Sequence, residues 1–445
     1  MSELVMILGE IPMKERLFQC DQHGTRIRTE VLAGVTTYLT MGYVIFVNPE
    51  ILSHAGMDKS AQIAVTCLVT AAATLITGLV ANAPIAMAPG MGLNAFFTYT
   101  LVITEGISWQ TALGAVFISG FLFVLLTLAG LRRKLVEAIP PSLVSAISVG
   151  IGLFIAFMGL QHLGIVQAHP ETLVSAGPMK PTILIGLAGL VVMIVWETCR
   201  LPGALLIGIA FSTLLAAVFG YIKPPAQWVS FRVDISPLAL KLDVFGALKW
   251  GLASSVFTLM FIDMFDSIGT LLAVAPAIGL TERNGKGNKL DRLLLIDACA
   301  TMFGALCGTS TTTAYIESAA GIEQGGRTGL TSVTTGVLFL LSVFFVPVVG
   351  IVPAYATAPA LIMVGLFMAK QVRNIDFSDL REGVPAFLIM ILIAMSYSIS
   401  TGLAFGFIAY TLLEVVTGRA GRIHPAMWII TGLSVLFFAQ NWLTE

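Results

Sequence analysis

Asp263 and Asp266 stand three residues apart inside FTLMFIDMFDSIGTLLAVAPAIG (Phe257–Gly279), a stretch otherwise suited to the interior of a lipid bilayer. A charge at that depth costs about 2.5–3.5 kcal/mol even on the lenient insertion scale, so carboxylates kept there point to a function. The spacing makes the two neighbours on one helix face. A third carboxylate, Glu317, begins a short helical stretch in GALCGTSTTTAYIESAAGI (Gly304–Ile322), where the helix dipole complements its charge. Asn94 holds the matching place in NAPIAMAPGMGLNAFFTYT (Asn82–Thr100). Thr309, Thr311, Thr312 and Thr313 line the extended piece before Glu317, and Thr40 and Asn48 punctuate the first apolar run.

These groups restrict the solute they could handle. Carboxylates accept hydrogen bonds and repel anions, and neither Lys nor Arg lies within these segments. The candidates are therefore a cation or a neutral molecule rich in N–H donors. Phe96, Phe97, Phe257, Phe261 and Phe265 offer flat apolar walls for a planar ring. Carboxylates at midplane depth also supply proton sites, with Asp266, Glu317 and Asp263 as candidates. A Na⁺ site would need several converging oxygens, which the sequence does not display, so the proton is the expected coupling ion and no cofactor is expected. A plainer reading stands beside each assignment: an isolated Thr or Asn in a membrane helix often only satisfies a neighbour's backbone, and Asn48 in VNP fits that role equally well.

The elements that position these residues follow from composition. Apolar residues make up 57% of the 445 and charged residues 11%, less than half the share in soluble domains. A soluble protein could not hide that much apolar surface, so the chain is a polytopic, all-α membrane protein. The net charge of −1 gives no sign of a nucleic-acid partner. Runs long enough to span, at about 20 residues each, fall near 30–52, 60–81, 108–131, 141–165, 180–198, 202–221, 250–275, 289–307 and 328–349. Shorter runs lie near 354–370, 384–399 and 401–418, and two interrupted pieces, 84–103 and 308–323, bring the expectation to fourteen segments. A hydrophobic tail at 424–443 either crosses or lies in the interface.

Clusters of Lys and Arg occur before the first span and after even-numbered ones: Lys14, Arg16, Arg26 and Arg28; Arg132, Arg133 and Lys134; Arg283, Lys286, Lys289 and Arg292; Arg419 and Arg422. That places the N-terminus in the cytoplasm and the protein in the cytoplasmic membrane. The first residues read as a cytoplasmic arm, their apolar run too short and too charged for a signal peptide.

The two interrupted pieces carry Asn94 and Glu317, 223 residues apart, almost half the chain. Paired broken segments at matching places in two halves point to a transporter with inverted repeats and a midplane site, and seven segments per half would invert the halves. An enzyme finds no support: His23, His54, His162, His169 and His424 form no metal pair, HExxH is absent, and the five cysteines lack metal spacing. No metal site is expected.

Five motifs in order, HGT…RTEVLAGVTTYLTMGYVIFVNPEIL, APGMGLNAFF, FIDMFDSIGTL, GTSTTTAYIESAAGIEQGGRTGLT and YSISTGLAFGFI, resemble the AzgA-like purine permeases, a branch of the nucleobase–cation symporter/nucleobase–ascorbate transporter superfamily. The resemblance covers about residues 21–420. It implies a uracil-permease-like fold of fourteen segments in two inverted sevens, the third and tenth each a short strand plus half-helix. A substrate-holding core domain would comprise 29–131 and 250–349, and a gate domain 132–222 and 350–420. These would flank an arm at 1–28, an extracytoplasmic loop at 223–249 and a tail at 421–445. It further implies an elevator-type alternating-access carrier in the lipid bilayer, a homodimer through the gate domain.

The resemblance puts base-binding carboxylates at Asp266 and Glu317, with Asn94 and Thr40 facing the base and Thr312, Thr313, Phe261 and Ile316 completing the site. The expected substrates are hypoxanthine and guanine, the alternative being an adenine- or broad-specificity carrier, with xanthine and uracil ranked below. Thr270 stands where uracil-type relatives place a His, so proton coupling would rest on a carboxylate.

Overall fold

A computed structural model describes residues 18–129, 139–225, 227–231, 233–248, 253–274 and 289–444. Most of the expected arm at 1–28 therefore lies outside the described residues, as do Lys14, Arg16, Arg132, Arg133, Lys134, Arg283 and Lys286. In chain order the helices begin with α1 (Ile27–Met41), α2 (Val44–Ser53) and α3 (Lys59–Ile76), the last prolonged by a π-helical turn, Thr77–Ala81. Strand β1 (Met87–Pro89) leads into α4 (Met91–Ala95) and a π-helical stretch, Phe96–Thr104. Then come α5 (Trp109–Leu128), α6 (Pro141–Leu163), the hairpin β2 (Val166–His169) and β3 (Leu173–Ala176), α7 (Pro181–Thr198) and α8 (Ala204–Val218). The second half holds α9 (Val244–Ala247), α10 (Ala253–Val274), α11 (Lys289–Cys307), β4 (Thr312–Ala314) and α12 (Ser318–Glu323). It ends with α13 (Gly329–Ser342), α14 (Val346–Gly350), α15 (Ala354–Ala369), α16 (Leu380–Ser396), α17 (Ile399–Val416) and α18 (Pro425–Thr444).

Among the described residues eight helices are long and apolar enough to cross a membrane, and the chain is a multi-pass membrane protein. The hairpin β2–β3 was not legible in the sequence, because four-residue strands are too short to display a period. The tail expected at 424–443 is the helix α18, which packs along α17 through a 2.6 Å hydroxyl contact between Thr411 and Thr431.

The helices pack as two groups. In one, α3 and α1 pack against α13, and α5 against α11, so that elements from both halves of the chain interleave. In the other, α6 packs on α15 and α16, α7 on α8 and α15, and α17 on α16. Small residues permit close approach, the usual means of association in lipid, where no hydrophobic force separates helix from solvent. At one close backbone crossing, a Cβ added to Gly329 would lie 1.9 Å from the Gly78 carbonyl oxygen, and one added to Gly78 would lie 2.5 Å from that of Gly329.

Strands β1 and β4 pair antiparallel, with Met87 opposite Ala314, Ala88 opposite Thr313 and Pro89 opposite Thr312. Two three-residue strands in a membrane would leave their outer N–H and C=O groups unsatisfied. Threonines on neighbouring helices meet this need in both halves. Thr74 of α3 bonds both the N–H and the C=O of Met87, each at 3.1 Å. Thr301 of α11 bonds the C=O of Thr312 at 2.9 Å and its N–H at 3.2 Å. The Ser318 hydroxyl accepts from Ala86 N–H at 3.0 Å, and the Tyr315 hydroxyl donates to the Pro89 carbonyl.

Gly329→Val should lower stability by about 1–3 kcal/mol, the usual cost of overpacking. Thermal unfolding in detergent would register this as a lower midpoint, and an unchanged midpoint would contradict the close backbone crossing.

Candidate functional site

The paired strands end at a cavity of about 100 Å³. One wall comes from the group of helices that holds the strands: Tyr43 at the break between α1 and α2, Gly90 to Leu93, Thr313 to Glu317, and Ile262, Asp266 and Thr270 of α10. The last three recur every four residues and so form one stripe down α10. The other wall belongs to the second group: Val144, Ile147, Ser148 and Ile151 of α6, with Val364 and Met368 of α15. Every carboxylate is on the first wall, and the second is apolar except for Ser148. None of the lining residues among those described is Lys, Arg or His.

Five of the residues singled out in the sequence meet here: Asp266, Glu317, Thr313, Ile316 and Thr270. Glu317 immediately precedes α12 and its side chain does not cap that helix. Instead its Oε1 accepts a hydrogen bond from the Tyr43 hydroxyl at 2.8 Å. Gly90 keeps the backbone close beside Asp266: a Cβ there would lie 3.0 Å from Thr313 Cγ2 and 3.8 Å from Asp266 Oδ2.

The remaining candidates are placed outside the cavity lining among the described residues, each for a local reason. Asp263 is 1% exposed and its Oδ2 accepts from Thr301 Oγ1 at 3.0 Å, on the α11 side of α10. Its contact with α11 draws it away from the stripe of Asp266, although the two stand three residues apart. Thr312 alternates with Thr313 along β4, and its hydroxyl is directed toward Gly304, where an added Cβ would lie 2.9 Å from it. Phe261 stacks on Phe257 and meets Phe407 edge-on, each pair with ring centroids 5.6 Å apart, so its neighbour Ile262 faces the cavity instead. Thr40 bonds back to the carbonyls of Thr36 and Thr37 at 3.0 and 2.9 Å, and reaches the Glu317 carbonyl at 3.5 Å.

Asn94 is fully buried. Its amide donates to Asn48 Oδ1 at 2.5 Å, and its Oδ1 accepts from the Ser310 hydroxyl. Asn48 in turn donates to Thr66 at 2.7 Å and to Thr309 at 3.4 Å. Asn94 thus ties α4 to α2 and to the approach to β4. Phe96, Phe97 and Phe257 do not line the cavity, and the Phe265 side chain lies outside the described residues. The rings present are those of Tyr43 and Tyr315.

Sequence reasoning missed Tyr43, Ser267 and Asp297. Ser267 Oγ donates to Asp297 Oδ2 at 2.6 Å and contacts Thr313 Oγ1 at 2.7 Å, linking a buried carboxylate of α11 to the cavity wall. A signal existed for Asp297: it is a charge within the apolar run LLLIDACATMFG, open to the same argument that picked out Asp263.

Membrane-length helices around two paired short strands, with carboxylates at the strand ends, define a membrane carrier. The chain belongs to the Permease family (Xan_ur_permease), matching it over residues 28–405, and the resemblance to nucleobase permeases holds. It is 42% identical to the adenine permease AdeP of Escherichia coli (strain K12) over 425 residues, covering 95% of each chain. It is 40% identical to the guanine/hypoxanthine permease PbuG of Bacillus subtilis (strain 168) over 436 residues, covering 95% of this chain and 98% of that one. These relatives are permeases, not enzymes. In fold it resembles the transmembrane domain of a cyanobacterium bicarbonate transporter, BicA, with a TM-score of 0.64 at 15% identity over 83% of this chain and 96% of that one.

Asn94→Ala should destabilise the protein even without solute, since it strands Asn48 Oδ1 and the Ser310 hydroxyl at about 1–3 kcal/mol each. A solute-free unfolding midpoint equal to that of wild type would contradict this structural role.

Proposed function

We propose that the protein is a proton-coupled importer of purine nucleobases, hypoxanthine and guanine first, in the cytoplasmic membrane with its N-terminus inside. The observation that carries this reading is the convergence of Asp266 and Glu317 on one cavity whose opposite wall is apolar. Two carboxylates with no basic residue among the described lining suit a neutral heterocycle presenting ring N–H groups. The resemblance to purine permeases supports the substrate class. The flat rings of Tyr43 and Tyr315 support a planar solute.

The two packing groups support a division of labour in an elevator-type cycle. A core of 29–131 and 250–349 carries the solute, while a gate of 132–222 and 350–420 stands still and forms a homodimer. All carboxylates would then travel with the core past an apolar face that offers them no competing partner. The adenine reading draws support from a specific observation: identity to the adenine permease is no lower than to the guanine/hypoxanthine permease. Uptake of labelled hypoxanthine in a purine-transport-deficient cell, challenged with a panel of unlabelled bases, decides between them.

Hypoxanthine and guanine share an N1–H that an ionised carboxylate accepts, whereas adenine presents a lone pair at N1. Adenine should therefore compete poorly at neutral pH, and equal competition would favour the broader specificity. Asp266→Asn and Glu317→Gln should each weaken hypoxanthine binding by about 2–4 kcal/mol, roughly 30- to 1000-fold. Wild-type affinity in both would remove the site.

Coupling should appear as uptake that rises when external pH falls, accompanied by inward positive current. A protonophore should abolish accumulation while sparing exchange of labelled for unlabelled base. Accumulation that survives the protonophore and follows a sodium gradient would contradict proton symport.

A further inference from the structure

Beyond the cavity along α6 stands a cluster of side chains with no role so far. Ile151 is the last α6 residue on the cavity, and Phe154, one turn on, is fully buried. Phe154 meets Tyr397 edge-on at 5.1 Å and Tyr99 at 6.3 Å between centroids. Further along, Tyr99 shares its hydroxyl between two imidazoles: 2.7 Å to His54 Nδ1 and 3.2 Å to His162 Nε2. The two histidine rings stand edge-on with centroids 4.9 Å apart. At about 1.5 Å per residue, His162 lies roughly 16 Å along α6 from Ile151.

The contacts join the two packing groups. His54 follows α2 and Tyr99 follows α4, both in the group that holds the strands. Phe154, Gln161 and His162 belong to α6, and Tyr397 follows α16. Tyr397 adopts a left-handed φ of 55°, costly for a bulky residue. It is held there by its hydroxyl donating to Gln161 at 2.5 Å and by its carbonyl accepting from Thr100 at 2.8 Å.

We propose that His54, Tyr99 and His162 form the closed gate on this side of the solute path, a latch that one added proton releases. The inference rests on the transport reading above for its purpose, though not for its geometry. The hydroxyl can donate to His54 Nδ1 and accept from His162 Nε2–H, which fills both gaps with two hydrogens. That tautomer leaves His162 Nδ1 as an acceptor, and this atom is buried with no hydrogen-bond partner among the described residues. A proton added to His54 Nδ1 places three hydrogens in two gaps. A proton added to His162 Nδ1 buries an N–H with nothing to accept it, which costs more than exposing the ring.

The other charged or titratable groups facing the cluster are Glu50, Lys59 and the Tyr397 phenol. Glu50 and Lys59 neutralise each other in an ion pair of 2.5 Å. Desolvation lowers the His54 pKa, opposed by Glu50 and reinforced by Lys59, so the latch is closed at neutral pH and opens as the pH on its side falls.

The test uses a reporter, Ser148→Cys, on the apolar wall of the cavity. A membrane-impermeant maleimide is applied from the side of His54, and labelling is counted against the same protein without the reporter. Labelling, divided at each pH by that of a free thiol to remove the intrinsic trend of thiol reactivity, should rise between about pH 7 and pH 5, because His54 charges below the ordinary imidazole value. Adding Tyr99→Phe, which removes one oxygen, should raise labelling at the higher pH roughly 3- to 10-fold and flatten the pH dependence. The double change His54→Gln and His162→Gln keeps polar side chains that do not titrate, so labelling should stay low at both values. A pH profile identical to wild type in both variants would overturn the latch. Labelling needs no solute, so absent purine uptake in the parent protein would defeat the transport reading while leaving this result standing.

Discussion

The structure depends on satisfying a short length of extended backbone at membrane depth. Three residues of β1 and three of β4 supply only part of each other's hydrogen bonding, and in a membrane interior the rest falls to neighbouring side chains. Thr74 and Thr301 each bond both polar groups of one strand residue, and Ser318 and Tyr315 cover two more sites. The same device thus serves both halves of the chain. With the strands pinned, Gly90 and Thr313 are brought beside Asp266, and the chain leaving β4 delivers Glu317 to the hydroxyl of Tyr43.

Behind the cavity wall lies a second layer of polar groups. Asp263 with Thr301, Asp297 with Ser267, and Asn94 with Asn48 and Ser310 form three buried hydrogen-bonded groups. In a low-dielectric interior such networks are rigid when satisfied and costly when broken. They explain how a wall rich in hydroxyls and carboxylates keeps its shape, whereas the facing wall of α6 and α15 is built from aliphatic packing. A polar face set against an apolar one leaves few bonds to break if the two groups of helices move relative to each other.

Much of this was legible in the sequence. The apolar runs correspond to the helices within a few residues, and the interrupted pieces at 84–103 and 308–323 contain the two strands. The carboxylates of the cavity stood out because a charge in an apolar run needs a reason. What sequence spacing could not resolve was direction. Asp263 and Asp266 share a helix face in a coarse sense, yet one side chain reaches α11 and the other the cavity. Phe261 and Ile262 are adjacent, and packing against Phe257 and Phe407 decided which one turned inward. Tyr43 escaped notice because a tyrosine within an apolar run carries no signal until its partner is known.

The central claim is that Asp266 and Glu317 act on one solute in one cavity. A double-mutant cycle of Asp266→Asn and Glu317→Gln, read as hypoxanthine binding by the purified protein, tests it most directly. Two groups serving a single site should be non-additive, with a coupling energy of about 0.5–3 kcal/mol. Effects that add to within about 0.3–0.5 kcal/mol would mean that the two carboxylates act independently, and would contradict the account.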